Sequence, residues 1–144
     1  MNTSDEPVLS LEVPVASEYL ALRTAAGLSA MSGEGATTGL PASWCSVCVR
    51  IGRELIGMGR VVGDGGLFLF VVDIAVAPAW QRRGLGRRIM AALMEQVQAR
   101  AQPRTMVGLI ADGTAHRLYE QFGFKLTAPA AHGMLLRIRK GEQA

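Results

Sequence analysis

The chain has 144 residues, with 15 Lys and Arg against 12 Asp and Glu, so it has the length of one domain and a net charge of only +3. With 49% hydrophobic and 19% charged residues it is too apolar for disorder, yet it holds no run of 18 apolar residues, which excludes a membrane span and points to a soluble protein. So small a positive excess calls for no polyanionic partner such as nucleic acid.

The opening MNTSDEP is polar and acidic, with no basic n-region leading into an apolar h-region, which argues against a cleaved signal and for the cytoplasm. Residues 1–7 are expected to be a loose end. Val8 to Val13 alternates as a first or edge strand closed by Pro14. Ser17 reads as an N-cap with Glu18 in the first turn, and an alanine-rich helix then runs to a glycine stop at Gly27. Leu28 to Ser43, rich in Gly, Ser and Thr, is a loop or broken helix longer than most connections, and a candidate to line a substrate site.

Trp44 to Ile51 and Leu55 to Val62 read as strands joined at Gly52-Arg53-Glu54. Gly63 to Gly66 turns the second into a third, giving an antiparallel meander. Cys45 and Cys48 spell C-x-x-C, but no second such pair exists, and residues three apart on a strand point to opposite faces. Buried reduced thiols are expected, with no metal and no disulfide.

The third strand, Leu67 to Val76, is apolar except for Asp73, as expected of a central strand buried on both faces. A buried unpaired carboxylate is costly, so Asp73 needs either a function or a partner such as a nearby arginine. Ala77, Pro78 and Ala79 end the strand, and Gly84 and Gly86 allow a sharp turn into a helix whose apolar face is Ile89, Met90, Leu93, Met94 and Val97, stopped by Pro103. Where the start of a helix favours acidic residues, this one supplies Arg82, Arg83, Arg87 and Arg88. A bound anion, phosphate above all, would offset their repulsion, the alternative being a solvated basic face. Two known phosphate motifs do not fit. A P-loop would need Gly and Lys where Ile89 and Met90 stand, and the dinucleotide fingerprint G-x-G-x-x-G fails at Ile89.

Beyond Pro103, Thr105 to Ala111 is another apolar strand, linked to the third-strand unit through the helix and therefore parallel to Leu67 to Val76. Asp112, Gly113 and Thr114 are placed to start a second amphipathic helix that stops at Gly123. Phe124 to Thr127 and Met134 to Arg139 read as two last strands around the loop Ala128 to Gly133, with residues 140–144 a loose end. The fold class is α/β, one domain over residues 1–144 with a mixed sheet.

Gln81-Arg82-Arg83-Gly84-Leu85-Gly86 resembles the central Q/R-x-x-G-x-G/A motif of the GNAT superfamily of acyl-CoA-dependent N-acyltransferases. Leu118-Tyr119-Glu120-Gln121-Phe122-Gly123-Phe124 resembles that family's L-Y-x-x-x-G-F segment. The resemblance implies a mostly antiparallel central sheet with helices on both faces and parallel pairing of the fourth and fifth strands. It implies acetyl-CoA as cosubstrate and no metal. Backbone amides from Arg82 to Arg87 would hold the pyrophosphate, with Gln81 opening the motif and Arg87 and Arg88 adding charge. Ile74, Ala75 and Val76 would pair with the pantetheine arm like a strand, and Asp112 and Thr114 would lie beside it, Asp112 standing where the family frequently has asparagine. The tyrosine at the Tyr119 position lies near the thioester sulfur in the family and is proposed to protonate the leaving thiolate. A phenol with a reference pKa of about 10 is protonated at neutral pH and suits that role.

The amine acceptor must lose a proton before attack, and Asp73 is the first choice of general base, ahead of Glu34 and His132, with His116 read as solvated on its helix. The expected function is transfer of an acetyl group to a primary amine, on a small molecule or a peptide, by direct attack in a ternary complex. A non-catalytic acyl-CoA-binding sensor or interaction module is the alternative, and a small nucleic-acid-binding domain the third. No nucleic acid or membrane partner is expected, and a homodimer is left open.

Overall fold

Alternation of side chains across a strand is what separates the two hydrophobic layers of this protein. A computed structural model describes residues 6–141. In β2 (Cys45–Ile51), Cys45, Val47 and Val49 enter one layer while Cys48 enters the other. Strands β1 (Val8–Leu11), β2, β3 (Glu54–Gly63), β4 (Phe68–Val76) and β5 (Met106–Leu109) stand side by side in chain order. The first four are antiparallel and β4 and β5 are parallel. Helix α3 (Leu85–Arg100) makes the β4-to-β5 crossover and buries Leu85, Ile89, Met90, Leu93 and Val97 on one face of the sheet. Full burial of such side chains stabilises by about 1.5–3 kcal/mol each. On the other face α1 (Ala16–Ala25), α2 (Gly33–Gly39) and the 3-10 turn Leu40–Ala42 pack Tyr19, Leu22, Ala36 and Leu40 against Cys48, Leu55, Met58 and Ala75. The mixed α/β sheet with helices on both faces is therefore as expected.

Element ends differ in ways that have local causes. Helix α1 starts at Ala16 with Val15 as N-cap, and the Glu18 carboxylate accepts a hydrogen bond from the Val15 N–H at 2.9 Å, which leaves Ser17 inside the first turn instead of capping it. Gly27 does stop this helix, at φ +81°. The Leu28 to Ser43 stretch is a broken helix. Ser32 caps α2 by accepting from the Gly35 N–H at 2.8 Å, and a 3-10 turn over Leu40–Ala42 follows. Helix α4 is short, His116–Glu120, because Asp112 engages the Ala115 N–H through its backbone carbonyl and supplies no side-chain cap. Gly123, at φ +93°, still ends that region.

Two expectations fail. Phe68 and Phe70 at the start of β4 are exposed, so the strand is buried on both faces only in part. Residues 124–127 and 134–139 form no strands, for a strand requires a ladder and no strand among the described residues pairs with either stretch. The loose ends expected at 1–7 and 140–144 fall mostly outside the described residues.

Cys45 and Cys48 are free and buried in opposite layers. Burial pushes both thiols up, Cys48 to about 12. A raised thiol pKa leaves almost no thiolate below pH 10, so raising the pH from about 7 to 9 should not accelerate alkylation of native Cys48 as it does an ordinary thiol. Iodoacetamide labelling followed by mass spectrometry checks this, with rapid reaction expected only in denaturant. Among the described residues no helix is long and apolar enough to cross a membrane, and no group of three His, Cys, Asp or Glu is placed to hold a metal.

Candidate functional site

The pairing of β4 with β5 runs only from Phe68 opposite Met106 to Val71 opposite Leu109, whereas β4 continues to Val76 against β3. The strands part there because of a bulge. Met58 faces Ala75 and Arg60 faces Val72, so Gly59 alone stands opposite both Asp73 and Ile74, and Asp73 takes a left-handed φ of +61°. Asp tolerates this region better than most side chains. Glycine is required across from it, since a Cβ on residue 59 would lie 2.6 Å from both Ile74 Cδ1 and Ile89 Cγ2. Ile74, Ala75 and Val76 thus follow the bulge, with their β5-side edge open to an extended ligand. The Gln81 side-chain amide donates to the Val76 carbonyl at 2.9 Å, tying the end of this edge to the next loop.

That loop ends in Gly84, at φ +81°, as the N-cap of α3. Gly84 offers no capping oxygen, the first turn has no acidic residue, and the first amide bonded back into the helix is that of Arg88, to the Gly84 carbonyl at 3.1 Å. The amides of Leu85, Gly86 and Arg87 therefore point out of the helix end, uncapped by a side chain. Leu85 turns its own side chain into the core, and Gly86 approaches α4, where a Cβ would lie 3.9 Å from Leu118 Cδ2. Two of the four arginines are held aside by aromatic faces, Arg83 at 4.8 Å over Trp80 and Arg87 at 6.0 Å over Phe122, while Arg82 and Arg88 are exposed. Donors, positive charge and the lack of side chains between them fit a phosphate group.

Tyr119 sits on α4 with its ring against the α3 layer. It lines a cavity of about 740 Å³ bordered by β5, α4 and residues 122–127. Burial, with the charge of Asp112 second, raises its phenol, so the hydroxyl keeps its proton at neutral pH. Asp112 and Thr114 lie exposed in the turn between β5 and α4.

Asp73 is not a free carboxylate. Its side chain is 5% exposed, and it accepts from Arg23 Nη1 and Arg60 Nε at 2.5 Å each and from the Tyr19 hydroxyl at 2.9 Å. This is the arginine-paired arrangement, in which two guanidinium groups and a phenol share one buried carboxylate. Arg23 is held further by the Ser29 carbonyl and hydroxyl, and Arg60 by the Ser43 hydroxyl. The sequence reading missed Tyr19, Arg23 and Arg60. The signal was present, for Arg60 is the one charge within an apolar strand, as Asp73 is in its own, and Tyr19 and Arg23 are one helical turn apart. Glu34 and His132 are exposed, and His116 is half-buried with Nδ1 3.3 Å from the Gly113 carbonyl.

Comparison with known proteins places the fold in a family. The family model of the acetyltransferase (GNAT) domain matches residues 43–126. A protein of meticillin-resistant Staphylococcus aureus, described as a probable acetyltransferase of unknown function, is 38% identical, with a TM-score of 0.88 over 92% of this chain and 100% of that one. A GNAT-family acetyltransferase of Streptococcus pneumoniae is 25% identical, with a TM-score of 0.71 over 93% of this chain and 99% of that one. The ribosomal-protein-S18-alanine N-acetyltransferase of Escherichia coli, 18% identical, shares the fold with a TM-score of 0.68 over 83% of this chain and 78% of that one.

Proposed function

The chain belongs to the GNAT acetyltransferase family, and from that premise we propose that it transfers an acetyl group from acetyl-CoA to a primary amine within a ternary complex in the cytoplasm. The observation that carries this reading is the parting of β4 from β5 beyond Val71 and Leu109, together with the uncapped, arginine-flanked start of α3. Acetyl-CoA supplies an activated acyl thioester. The amides of Leu85, Gly86 and Arg87 hold its pyrophosphate, with Arg82 and Arg88 adding charge, and the open edge at Ile74, Ala75 and Val76 holds the pantetheine arm. Tyr119 keeps a proton on its hydroxyl for donation to the departing sulfur. Asp73, tied to Arg23, Arg60 and Tyr19, acts as a positioning residue that fixes the bulge. The acceptor amine arrives neutral or gives its proton to solvent.

The ion pairs of Asp73 favour one other reading, an acyl-CoA-binding module without turnover, since the carboxylate at the bulge is already engaged by Arg23, Arg60 and Tyr19. Calorimetry with acetyl-CoA, followed by an amine panel scored for free thiol, separates the two. Binding with thiol release on some amine supports the enzyme, and binding without release on any amine supports the module. Gly84→Val tests the phosphate cradle. A β-branched residue at φ +81° costs about 1–2 kcal/mol of backbone strain and crowds the amides, so affinity for acetyl-CoA should fall at least about tenfold. Unchanged affinity in a folded variant would move the phosphate site away from this loop.

A further inference from the structure

We propose that a second, smaller pocket between α1, α2 and β3 binds a primary amine of amino-acid size whose carboxylate is held by Arg60, and that this molecule is the acetyl acceptor. The acceptor role rests on the acetyl-transfer reading above; the binding site does not. The pocket measures about 180 Å³. Sites for drug-sized ligands run to about 300–1,000 Å³, so this one suits a smaller molecule. Its floor is apolar and closed, since Tyr19, Ala36 and Leu40 are buried in the α1–α2 layer, while Met31 and Ser32 stand exposed at its mouth. Arg60 is the one charged residue of the lining, and Glu34, the one acid of α2, lies exposed outside it.

The Arg60 guanidinium donates through Nε to Asp73 at 2.5 Å and through Nη1 to the Ser43 hydroxyl at 3.2 Å, whereas Nη2 donates to no group among the described residues. No side-chain nitrogen or oxygen fully buried among them lacks a partner, so Nη2 is open to the space that Arg60 borders. Charge points the same way. Arg23 and Arg60 meet a single carboxylate, and burial with the Asp73 charge second keeps the Tyr19 phenol protonated, so the cluster carries one positive charge in excess. A charge removed from water favours a counter-ion, and the planar guanidinium fork receives a carboxylate with more than one hydrogen bond. The Ser32 hydroxyl accepts from the Gly35 N–H at 2.8 Å and retains its own proton as a further donor at the mouth. The apolar floor suits a short hydrocarbon side chain. Tyr19 and Arg60 both bond Asp73, the residue before Ile74, so the pocket adjoins the bulge at which the open edge begins. There the neutral amine nitrogen forms its bond to the acetyl carbon and the C–S bond breaks with its electron pair on sulfur. Sulfur takes the Tyr119 proton, and the proton lost by nitrogen passes to solvent, which restores the phenol.

The site is tested first without acetyl-CoA, by two-dimensional NMR of the isotope-labelled full chain titrated with alanine, valine, leucine and methionine and with the carboxamide of each. At least one amino acid should bind at least about tenfold more tightly than its carboxamide, with shifts centred on Met31, Ser32 and Ala36. Ala36→Leu, which changes no charge and fills the pocket, should abolish those shifts with unchanged far-UV circular dichroism, and Arg60→Gln should bring acid and carboxamide to equal affinity. If either variant unfolds, the comparison of acid with carboxamide on the wild type still decides. Thiol release from acetyl-CoA with the same compounds is then expected to follow the order of binding. No binding, carboxamides bound as tightly as the acids, or shifts that spare α2 overturn the proposal. Amino acids held in the pocket with no thiol release on any amine support the carboxylate site and overturn the acceptor role together with the transfer reading. Thiol release on amines without preference for a carboxylate leaves the transfer reading standing and overturns the acceptor class inferred from Arg60.

Discussion

Tyr119→Phe is expected to lower turnover by about 10²- to 10⁴-fold, the range for a positioned general acid, while acetyl-CoA affinity and Tm stay near wild type. The separation of these readouts follows from the surroundings of the side chain. The ring packs against the α3 layer, and phenylalanine keeps that packing. The hydroxyl makes no hydrogen bond among the described residues, and its raised pKa comes from burial and from Asp112, so its removal breaks no internal contact and leaves no buried donor orphaned. What remains to be lost is a proton donor on the wall of the cavity. Turnover with an identified amine, alongside calorimetry for both proteins, is the measurement. Equal turnover would reduce Tyr119 to a packing residue. A collapse in affinity with turnover intact at saturation would make the hydroxyl a ground-state contact and leave proton donation to solvent.

The parts of this fold that were legible in the sequence are those written by local pattern. Alternation at Cys45 to Ile51 separated the two layers, three- and four-residue spacing from Ile89 to Val97 gave α3, and the helix between two apolar runs gave the parallel β4–β5 pair. The Gly84–Gly86 turn and its arginines were equally plain, because an uncapped basic helix start breaks a local rule. The environment of Asp73 was not, for its partners lie 50, 13 and 54 positions away in sequence at Arg23, Arg60 and Tyr19. The bulge that turns the carboxylate toward them shows only as a register shift against Gly59. The strand expected at 134–139 did not form, for alternation in a sequence says nothing about whether a neighbouring strand is there to pair with.

Asp73→Asn is expected to destabilise the protein by about 3–5 kcal/mol, the cost of breaking a buried ion pair by removing one member. Asparagine is close in shape and tolerates the φ of +61°, so backbone strain adds little. The charge balance is what changes. In the wild type two guanidinium groups share one carboxylate, and the side chains of Arg23 and Asp73 are 8% and 5% exposed, so water cannot replace the lost anion cheaply. An amide also turns its NH₂ toward one guanidinium, setting donor against donor. Denaturant unfolding should therefore show a lower midpoint with a similar slope. The double variant Asp73→Asn/Arg60→Gln should recover part of the loss, since it removes one of the two stranded charges, and a non-additive cycle would locate the coupling in this pair. Turnover decides what else the residue does. If Asp73→Asn unfolds at the wild-type midpoint but loses activity and alters the acidic limb of the pH profile, Asp73 is the general base after all. If stability falls and the folded fraction keeps its pH profile, the carboxylate holds the bulge from which Ile74, Ala75 and Val76 open the cleft.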